Sequence, residues 1–224
     1  MKQRSLKEWL IRLVLLLLGL TVAHLGVTLF LQSNLGSDPF SVLVQGISTQ
    51  AGVSFGTIHV IVTCSLMLLM LVTTRGYVLP GTVVCAFCGG PIIDCFTWLL
   101  SGFIHPGLPL PVRVVFSLLG CVILAAGMSL VIRSDAGTGP NDLVAVILAD
   151  KLKRFQFRWV RMTCDAVFML LGLALGGTVG LGTVFAVCLI GPVAQFFFPY
   201  SQRIVEHCLK RTITTQNDSS RQMP

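Results

Sequence analysis

Long apolar runs separated by short polar segments fill most of the chain. An α-helix needs about 20 apolar residues to cross a hydrocarbon core of about 30 Å. Six runs approach or exceed that length, and we predict transmembrane helices over 10–32, 56–74, 78–101, 112–132, 160–176 and 179–199. The polar segment 202–224 has no such run and is predicted to be a disordered cytoplasmic tail. The predicted fold class is therefore an all-α polytopic membrane bundle.

Two shorter apolar segments, 40–50 and 141–150, each follow a cluster of helix-breaking and polar residues. At about 11 residues with a rise of 1.5 Å per residue, neither can cross a bilayer. We predict short half-helices that are either re-entrant or lie in the membrane interface. Their N-terminal amides could hold an anionic group, although a plain capped loop explains each cluster equally well.

The sequence repeats itself with an offset of 101 residues: Arg12 falls on Arg113 and Ser33 on Ser134. Glycines and prolines, which break or bend helices, also coincide. The matched residues that we assign to helix breaking or gating are Gly36 and Gly137, Pro39 and Pro140, Gly90 and Gly191, and Pro91 and Pro192. We divide the chain into a first repeat, 1–101, a second repeat, 102–201, and the tail.

Each repeat carries three predicted spans, and three is an odd number. The second repeat should therefore enter the membrane from the opposite face, which gives two inverted three-helix repeats. Inverted repeats are typical of secondary transporters, whose sites lie between the halves. The alternative is that duplication only builds a stable bundle.

The charge is sparse and unevenly distributed. Charged residues make up 11% of the chain, apolar residues 54%, and the mean hydropathy is +0.85. The formal net charge of +7 arises outside two segments, 33–55 and 101–112, which contain no Lys or Arg. By the positive-inside rule, six spans place these two segments outside and both termini in the cytoplasm. The positive charge thus indicates topology and contact with membrane lipids, and we expect no nucleic-acid partner.

Polar residues near the breakers and within the spans are the candidates for binding a solute or ion. Charges within the hydrocarbon region are costly and commonly functional. Asp94 is the strongest candidate for coupling or cation recognition, with His59 as its expected partner. The full set is Ser33, Asn34, Asp38, His59, Asp94, Ser134, Asp135, Asn141 and Gln195. For His24, and for an Arg161–Asp165 pair at i, i+4, we favour a structural role.

No signature of catalysis stands out. Cys85 and Cys88 form a C-x-x-C that could be a redox dithiol, but its apolar setting would make the thiols inert. Zinc ligands at the usual spacing are missing from the sequence. We therefore expect neither an enzyme nor a cofactor or metal.

Three stretches resemble the YczE/YyaS/YitT group of bacterial membrane proteins, and most closely its YczE-like branch. These are LQSNLGSDPF at 31–40, GVSFGT at 52–57 and AGTGPNDL at 136–143. The resemblance implies an integral protein of the bacterial inner membrane. It implies no substrate and no catalytic residues.

Together these observations predict a small permease or exporter of a small polar or amphipathic solute, working by alternating access between the repeats. One alternative is a membrane scaffold or accessory protein that transports nothing. The other is a thiol-redox protein using Cys85 and Cys88. A transporter should have a polar cavity near Asp94 that is reached from one face, whereas a scaffold should have a dry core with these polar groups paired internally. A homodimer is compatible with all three.

Overall fold

The structure, a computed structural model, describes residues 5–53, 55–74, 76–105 and 107–221, with 55, 56 and 211–221 described by their backbone alone. These residues form eight α-helices and confirm the all-α prediction. The helices are α1 Leu6–Ser33, α2 Pro39–Ala51, α3 Phe55–Thr73, α4 Pro80–Leu100, α5 Leu110–Ser134, α6 Pro140–Lys151, α7 Phe157–Ala174 and α8 Leu181–Arg221.

Four helices, rather than the six predicted, are long and apolar enough to cross a membrane: α1, α4, α5 and α8. The apolar part of α3, Thr57–Thr73, is shorter than a usual span. Helix α7 has 18 residues, but Arg158, Arg161 and Asp165 interrupt its apolar character. The chain is thus a multi-pass membrane protein with two helices that composition alone does not assign to the bilayer.

The two short helices lie where the sequence predicts them. Asp38 caps α2 by accepting a hydrogen bond from the Ser41 amide at 3.1 Å, and Pro39 occupies the first turn. Pro140 likewise opens α6. The helices before them, α1 and α5, both end at a residue in the left-handed region: Asn34 with φ 51° and Asp135 with φ 54°.

Helices α1 and α5 pack antiparallel along their length through four glycines. A Cβ on Gly19 would lie 2.9 Å from the Gly127 carbonyl oxygen, and one on Gly120 would lie 2.9 Å from that of Gly26. Side chains at these positions would hold the backbones apart, so the glycines permit the close approach that small residues allow in membrane helices.

Two arginines fasten the ends of this helix pair reciprocally. Arg12 on α1 donates to the Ser134 carbonyl at 2.9 Å, where α5 ends. Arg113 on α5 donates to the Ser33 carbonyl at 2.7 Å, where α1 ends. Each cation thereby satisfies carbonyls at the negative end of the partner helix. We call the two ends of the molecule the Arg12 end and the Arg113 end.

Helices α4 and α8 begin at opposite ends of the α1–α5 pair. The Gly81 amide at the start of α4 donates to the Ala136 carbonyl at 2.9 Å. The Gly182 amide at the start of α8 donates to the Leu35 carbonyl at 2.8 Å. Both helices continue without interruption through their internal prolines, Pro91 and Pro192, so neither proline breaks its helix.

Helix α8 continues to Arg221, into the segment 202–224 for which the sequence predicts disorder. Ser201 hydrogen bonds to Ser129 on α5 at 2.6 Å, and Val205 is buried. Gln202 also donates to Glu206 one turn later, at 2.8 Å. Packing against α5 therefore extends the helix past its apolar part. Residues 222–224 lie outside the described residues.

Candidate functional site

At the Arg113 end, α2 and α7 pack closely through glycines. A Cβ on Gly46 would lie 2.5 Å from the Gly172 carbonyl oxygen, and Gly177 is equally confined by Val42. The Gln45 side-chain oxygen accepts hydrogen bonds from the amide and the hydroxyl of Thr178, at 3.0 and 2.7 Å. Backbone contact and these hydrogen bonds close the region between α2 and α7, although a separate surface pocket of about 370 Å³ lies beside Asn34 at the same end.

At the Arg12 end, the equivalent region is a cleft of about 270 Å³. It lies between the segment that follows α3, the end of α5, and α6, and we call it the α6 cleft. Its lining residues are Gly76, Tyr77, Leu79, Ile132, Asp135, Gly137, Thr138, Leu143, Val146 and Asp150. The buried Thr138 hydroxyl has no hydrogen-bond partner within the described part of the chain.

Tyr77 and Asp150 form the polar wall of the α6 cleft at its outer rim. The Tyr77 side chain hydrogen bonds to Asp150. Desolvation, and then the charge of Asp150, raises the pKa of the Tyr77 phenol above its ordinary value. Tyr77 therefore stays neutral at physiological pH and donates its proton to the Asp150 carboxylate.

Residue size explains why one end is closed and the other is open. The residues equivalent to Gly46 and Gly172 in the other repeat are Ile147 and Leu71. Ile147 packs in a cluster with Met70, whereas Leu71 is 47% exposed, so neither residue reproduces the glycine contact that joins α2 to α7. The difference between the ends is therefore encoded in the sequence.

A buried charged triad lies where α6 meets α7. The Arg161 guanidinium contacts Asp165 through Nε at 2.9 Å and Asp142 through Nη1 at 2.6 Å. Asp165 has no solvent exposure and Arg161 is 5% exposed. The predicted Arg161–Asp165 pair is confirmed, but Asp142 extends it to a triad across two helices. Two carboxylates thus share one cation in the interior.

Three further titratable groups surround the triad. His24, on α1, interacts electrostatically with both Asp142 and Asp38. Asp38 also interacts with Asp165 and with His59 on α3. The N-terminal turns of both short helices, at Asp38 and Asp142, therefore border one polar region. We call His24, Asp38, Asp142, Arg161 and Asp165 the central charged cluster.

The predicted site residues at the breakers separate into two distant groups. Ser33 and Asn34 lie at the Arg113 end, where both of their carbonyls accept from Arg113. Ser134 and Asp135 lie at the Arg12 end, where Asp135 also approaches Arg12 at 3.5 Å. Only the second pair adjoins the α6 cleft.

The remaining predicted residues are dispersed. Asp94 lies on the exposed face of α4, on the same stripe as Phe87 and Trp98, and is not a lining residue of the α6 cleft. His59 packs edge-to-face on Phe40, with ring centroids 5.5 Å apart.

Two amides complete the set. Asn141, in the first turn of α6, donates to Asp142 at 3.1 Å. The Gln195 side-chain oxygen accepts from the Arg158 amide at 3.2 Å, so Gln195 joins α8 to α7.

The C-x-x-C pair lies on α4. Cys85 is buried with Leu16, Leu20 and Val131, with Cys88 packed against that cluster, and both thiols are free. An apolar cluster of this kind is the setting of an inert thiol, which weighs against the redox alternative.

Sequence reasoning missed Asp142 and gave Arg161 too small a role. Asp142 sits in a polar motif, Gly139-Pro140-Asn141-Asp142, and resembles an ordinary helix N-terminus. Its repeat equivalent is Ser41, so the duplication did not mark it. An Arg inside an otherwise apolar helix was the available signal, since intramembrane charge calls for a partner.

The fold and this polar interior define a multi-pass α-helical membrane protein with a buried ionised cluster. Residues 10–199 match the model of a family described as "Family of unknown function (DUF6198)", and the chain belongs to that family.

Its relatives include the uncharacterized protein YyaS of Bacillus subtilis, which is 27% identical over 186 residues, 83% of this chain and 92% of YyaS. An uncharacterized protein of Haemophilus influenzae is 31% identical over 194 residues, covering 85% of this chain and 84% of its own. The uncharacterized membrane protein YczE of B. subtilis is 24% identical over 213 residues, 94% of each chain. The resemblance to YczE and YyaS is thus confirmed. No solved structure matches the chain.

Proposed function

We propose that this protein is a small permease or exporter of the bacterial inner membrane, which moves a small polar or amphipathic solute by alternating access between two inverted three-span repeats. The observation that carries the proposal is the α6 cleft, open at the Arg12 end while the equivalent α2–α7 region is closed. A pathway open to one face and closed to the other is what such a transporter has in each of its states.

The reciprocal contacts support the inverted arrangement. Shifting Arg12 and Ser134 by the repeat offset, in opposite directions, gives Arg113 and Ser33, which make the same contact at the other end. The Gly81–Ala136 and Gly182–Leu35 hydrogen bonds exchange in the same way. A pseudo-two-fold axis across the α1–α5 pair accounts for all four contacts, with α3 and α7 completing three spans per repeat.

The charge distribution supports a cytoplasmic Arg12 end. The basic residues between α6 and α7, which are Lys151, Lys153 and Arg154, follow the α6 cleft directly in the chain. The loop 101–112, without Lys or Arg, precedes Arg113 at the other end. The positive-inside rule then opens the α6 cleft to the cytoplasm.

The glycine contacts restrict which parts can move. Helices α1 and α5 touch backbone to backbone, and close packing of this kind does not slide freely. The repeats therefore stay joined along this seam, and we assign the movement to α2 and α3 against α6 and α7. Opening of the Arg113 end would break the Gln45–Thr178 hydrogen bonds and separate α2 from α7.

A test that needs no known solute compares two equivalent positions, Val146 and Gln45. Val146→Cys is placed in the α6 cleft, and Gln45→Cys in the closed region. Each variant is treated with a membrane-impermeant maleimide in right-side-out and in inverted vesicles, and labelled peptides are identified by mass spectrometry against the native cysteines. We expect Val146→Cys to react from the cytoplasmic face and Gln45→Cys to react slowly from the opposite face.

Linking the closed end tests alternation itself. A short bifunctional thiol reagent applied to Gln45→Cys with Thr178→Cys should hold the Arg113 end shut and speed labelling of Val146→Cys from the cytoplasm. The controls are the proteins that carry only one of the two substitutions, Gln45→Cys or Thr178→Cys, together with Val146→Cys and treated with the same reagent. If Gln45→Cys never reacts from either face, and the cross-link leaves the Val146→Cys rate unchanged, the bundle is static and the scaffold alternative replaces transport.

A further inference from the structure

We infer that the central charged cluster is a proton-binding site, and that the proton is carried by the Oδ1 atom of Asp165. Oδ2 of that carboxylate is ion-paired with Arg161 at 2.9 Å. Oδ1 is buried and has no hydrogen-bond partner within the described part of the chain. A buried carboxylate oxygen without a partner is costly when ionised, and binding a proton removes that cost.

The charges of the triad lead to the same conclusion. Asp142 and Asp165 carry two negative charges against the single positive charge of Arg161. Binding one proton converts the Asp165 carboxylate to a neutral acid and brings the triad to zero net charge. We assign the proton to Asp165 because that carboxylate has no solvent exposure, whereas the Asp142 side chain is 18% exposed.

The helices packed around α7 add negative charge close to Asp165, and Lys151, the cation of α6, lies at the far end of that helix from Asp142. Helix α2 contributes Asp38 and α6 contributes Asp142, both of which interact with Asp165. Helix α8 has no Asp, Glu, His, Lys or Arg from Leu181 to Gln202. His24, on α1, interacts with Asp38 and Asp142, while its Nδ1 lies 2.7 Å from the Leu20 carbonyl. The surrounding field therefore favours a cation at Asp165.

A proton fits this place better than a metal ion. Within the described part of the chain, no three His, Cys, Asp or Glu side chains are grouped as ligands for a metal. Two oxygens of the triad are already engaged by Arg161. One added hydrogen on Oδ1 needs no further ligands.

The site has a short connection to the solute pathway. Asp142 is followed directly by Leu143, which lines the α6 cleft. If the proposed transport function holds, proton binding at Asp165 would be the coupling event, because it changes the charge between the two short helices. This coupling rests on the proposed function, whereas proton binding at Asp165 does not.

Infrared spectroscopy of the full chain in lipid vesicles tests proton binding directly. A protonated carboxylic acid has a C=O band distinct from that of a carboxylate. We expect such a band to persist above about pH 5, where an ordinary Asp is already ionised. Asp165→Asn should abolish it, and Glu206→Gln, which removes an exposed carboxyl past the apolar part of α8, should leave it unchanged.

A second measurement on the unmodified sequence covers the case in which Asp165→Asn fails to fold. Aspartate labelled isotopically at its carboxyl carbon should shift the band, and slow hydrogen–deuterium exchange should identify it as buried. Absence of the band at every pH above about 5, where ordinary aspartates are ionised, overturns the proposal. So does a band that persists in folded Asp165→Asn.

Labelling of Val146→Cys tests the coupling separately. We expect the labelling rate to differ severalfold between a pH at which the band is present and a pH at which it is absent. The difference should vanish when Asp165→Asn is added. If the band titrates while the labelling rate does not follow it, the proton site stands and coupling is refuted. If the cross-linking test shows a static bundle, the permease proposal fails. The infrared result still decides whether Asp165 binds a proton, because that measurement does not depend on transport.

Discussion

The α1–α5 seam gives the sharpest prediction of stability, through Gly127→Ala. A Cβ at Gly127 would lie nearest the Ala23 amide nitrogen and 2.6 Å from the Gly19 carbonyl oxygen, whereas ordinary contact begins at 3.4 Å. The contact with Gly19 alone would require the two helices to separate locally by roughly 0.8 Å, which also loosens the contacts on either side of the new methyl group. The nearest atoms are backbone, so no side chain can rotate to make room.

The expected net loss is about 1–2 kcal/mol of unfolding free energy. Overpacking a close contact costs about 1–3 kcal/mol. The gain in helix propensity from Gly to Ala offsets this by up to about 1 kcal/mol. At about 2–4 °C per kcal/mol for a chain of this size, the thermal midpoint should fall by about 2–8 °C.

Gly90→Ala is the matched control, since it places the same methyl group in another transmembrane helix. A Cβ at Gly90 meets nothing within 4 Å. The propensity gain then acts alone, and the midpoint should stay the same or rise. Both proteins are purified in one detergent and melted by following loss of helical circular dichroism or exposure of native cysteines to a thiol-reactive dye.

The double variant Gly26→Ala with Gly127→Ala should lose less than the sum of the single losses. Both methyl groups press on the same seam, and one separation accommodates both. Equal midpoints for Gly127→Ala and Gly90→Ala would refute the argument, because the α1–α5 approach would then not depend on the missing side chains.

Three further substitutions test other contacts. Arg161→Met should lower the unfolding free energy by about 3–5 kcal/mol, because the buried Asp165 and the partly exposed Asp142 lose their shared cation; a thermal melt measures it, and a loss below about 1 kcal/mol would mean that the triad is hydrated. Arg113→Gln removes charge-assisted hydrogen bonds to the carbonyl of Ser33, so we expect a loss of about 1–3 kcal/mol, and an unchanged melt would show that water caps α1 equally well. Tyr77→Phe should change stability by less than about 0.5 kcal/mol but speed labelling at Val146→Cys, because the rim loses its hydrogen bond to Asp150; an unchanged labelling rate would show that the rim does not limit access.

Local sequence signals predicted the helices and their ends well. Asp38 before Pro39, and Pro140 after a glycine, are helix-start chemistry, and the short helices begin at those prolines. The repeat predicted which residues would be equivalent, because matched glycines such as Gly19 and Gly120 record close approaches. The helix starts depend on residues adjacent in the sequence, and the close helix approaches are marked by glycines at equivalent positions of both repeats. Both kinds of signal can be read from the sequence alone.

Predictions of which polar residues meet in space were less successful. Asp94 drew attention because it lies alone in an apolar helix, but a single helix does not reveal which face packs inward, and its face is exposed. The triad joins Asp142 to Arg161 through a contact between helices α6 and α7. The hydrophobic periodicity of the two helices does not predict this ion pair, because the pair depends on how the helices pack against each other.

The length of α8 was misjudged for a related reason. The segment after 201 is polar, and composition alone predicts disorder there. In the structure, the Ser201 side chain hydrogen bonds to Ser129 on α5, and Val205 is buried. These tertiary contacts support the helix beyond its apolar part. Where a helix ends because of its contacts with a neighbouring helix, the composition of its own sequence does not predict that end.

The two ends of the molecule differ because glycines at one end are replaced by larger residues at the equivalent positions of the other. A self-complementary pair of identical halves would favour neither end, since every contact at one end would recur at the other. Gly46 and Gly172 bring α2 and α7 into backbone contact, whereas the equivalent positions in the other repeat are Ile147 and Leu71. If the proposed transport function holds, exchanging glycine and bulky side chains between these positions should reverse which end is the more tightly packed.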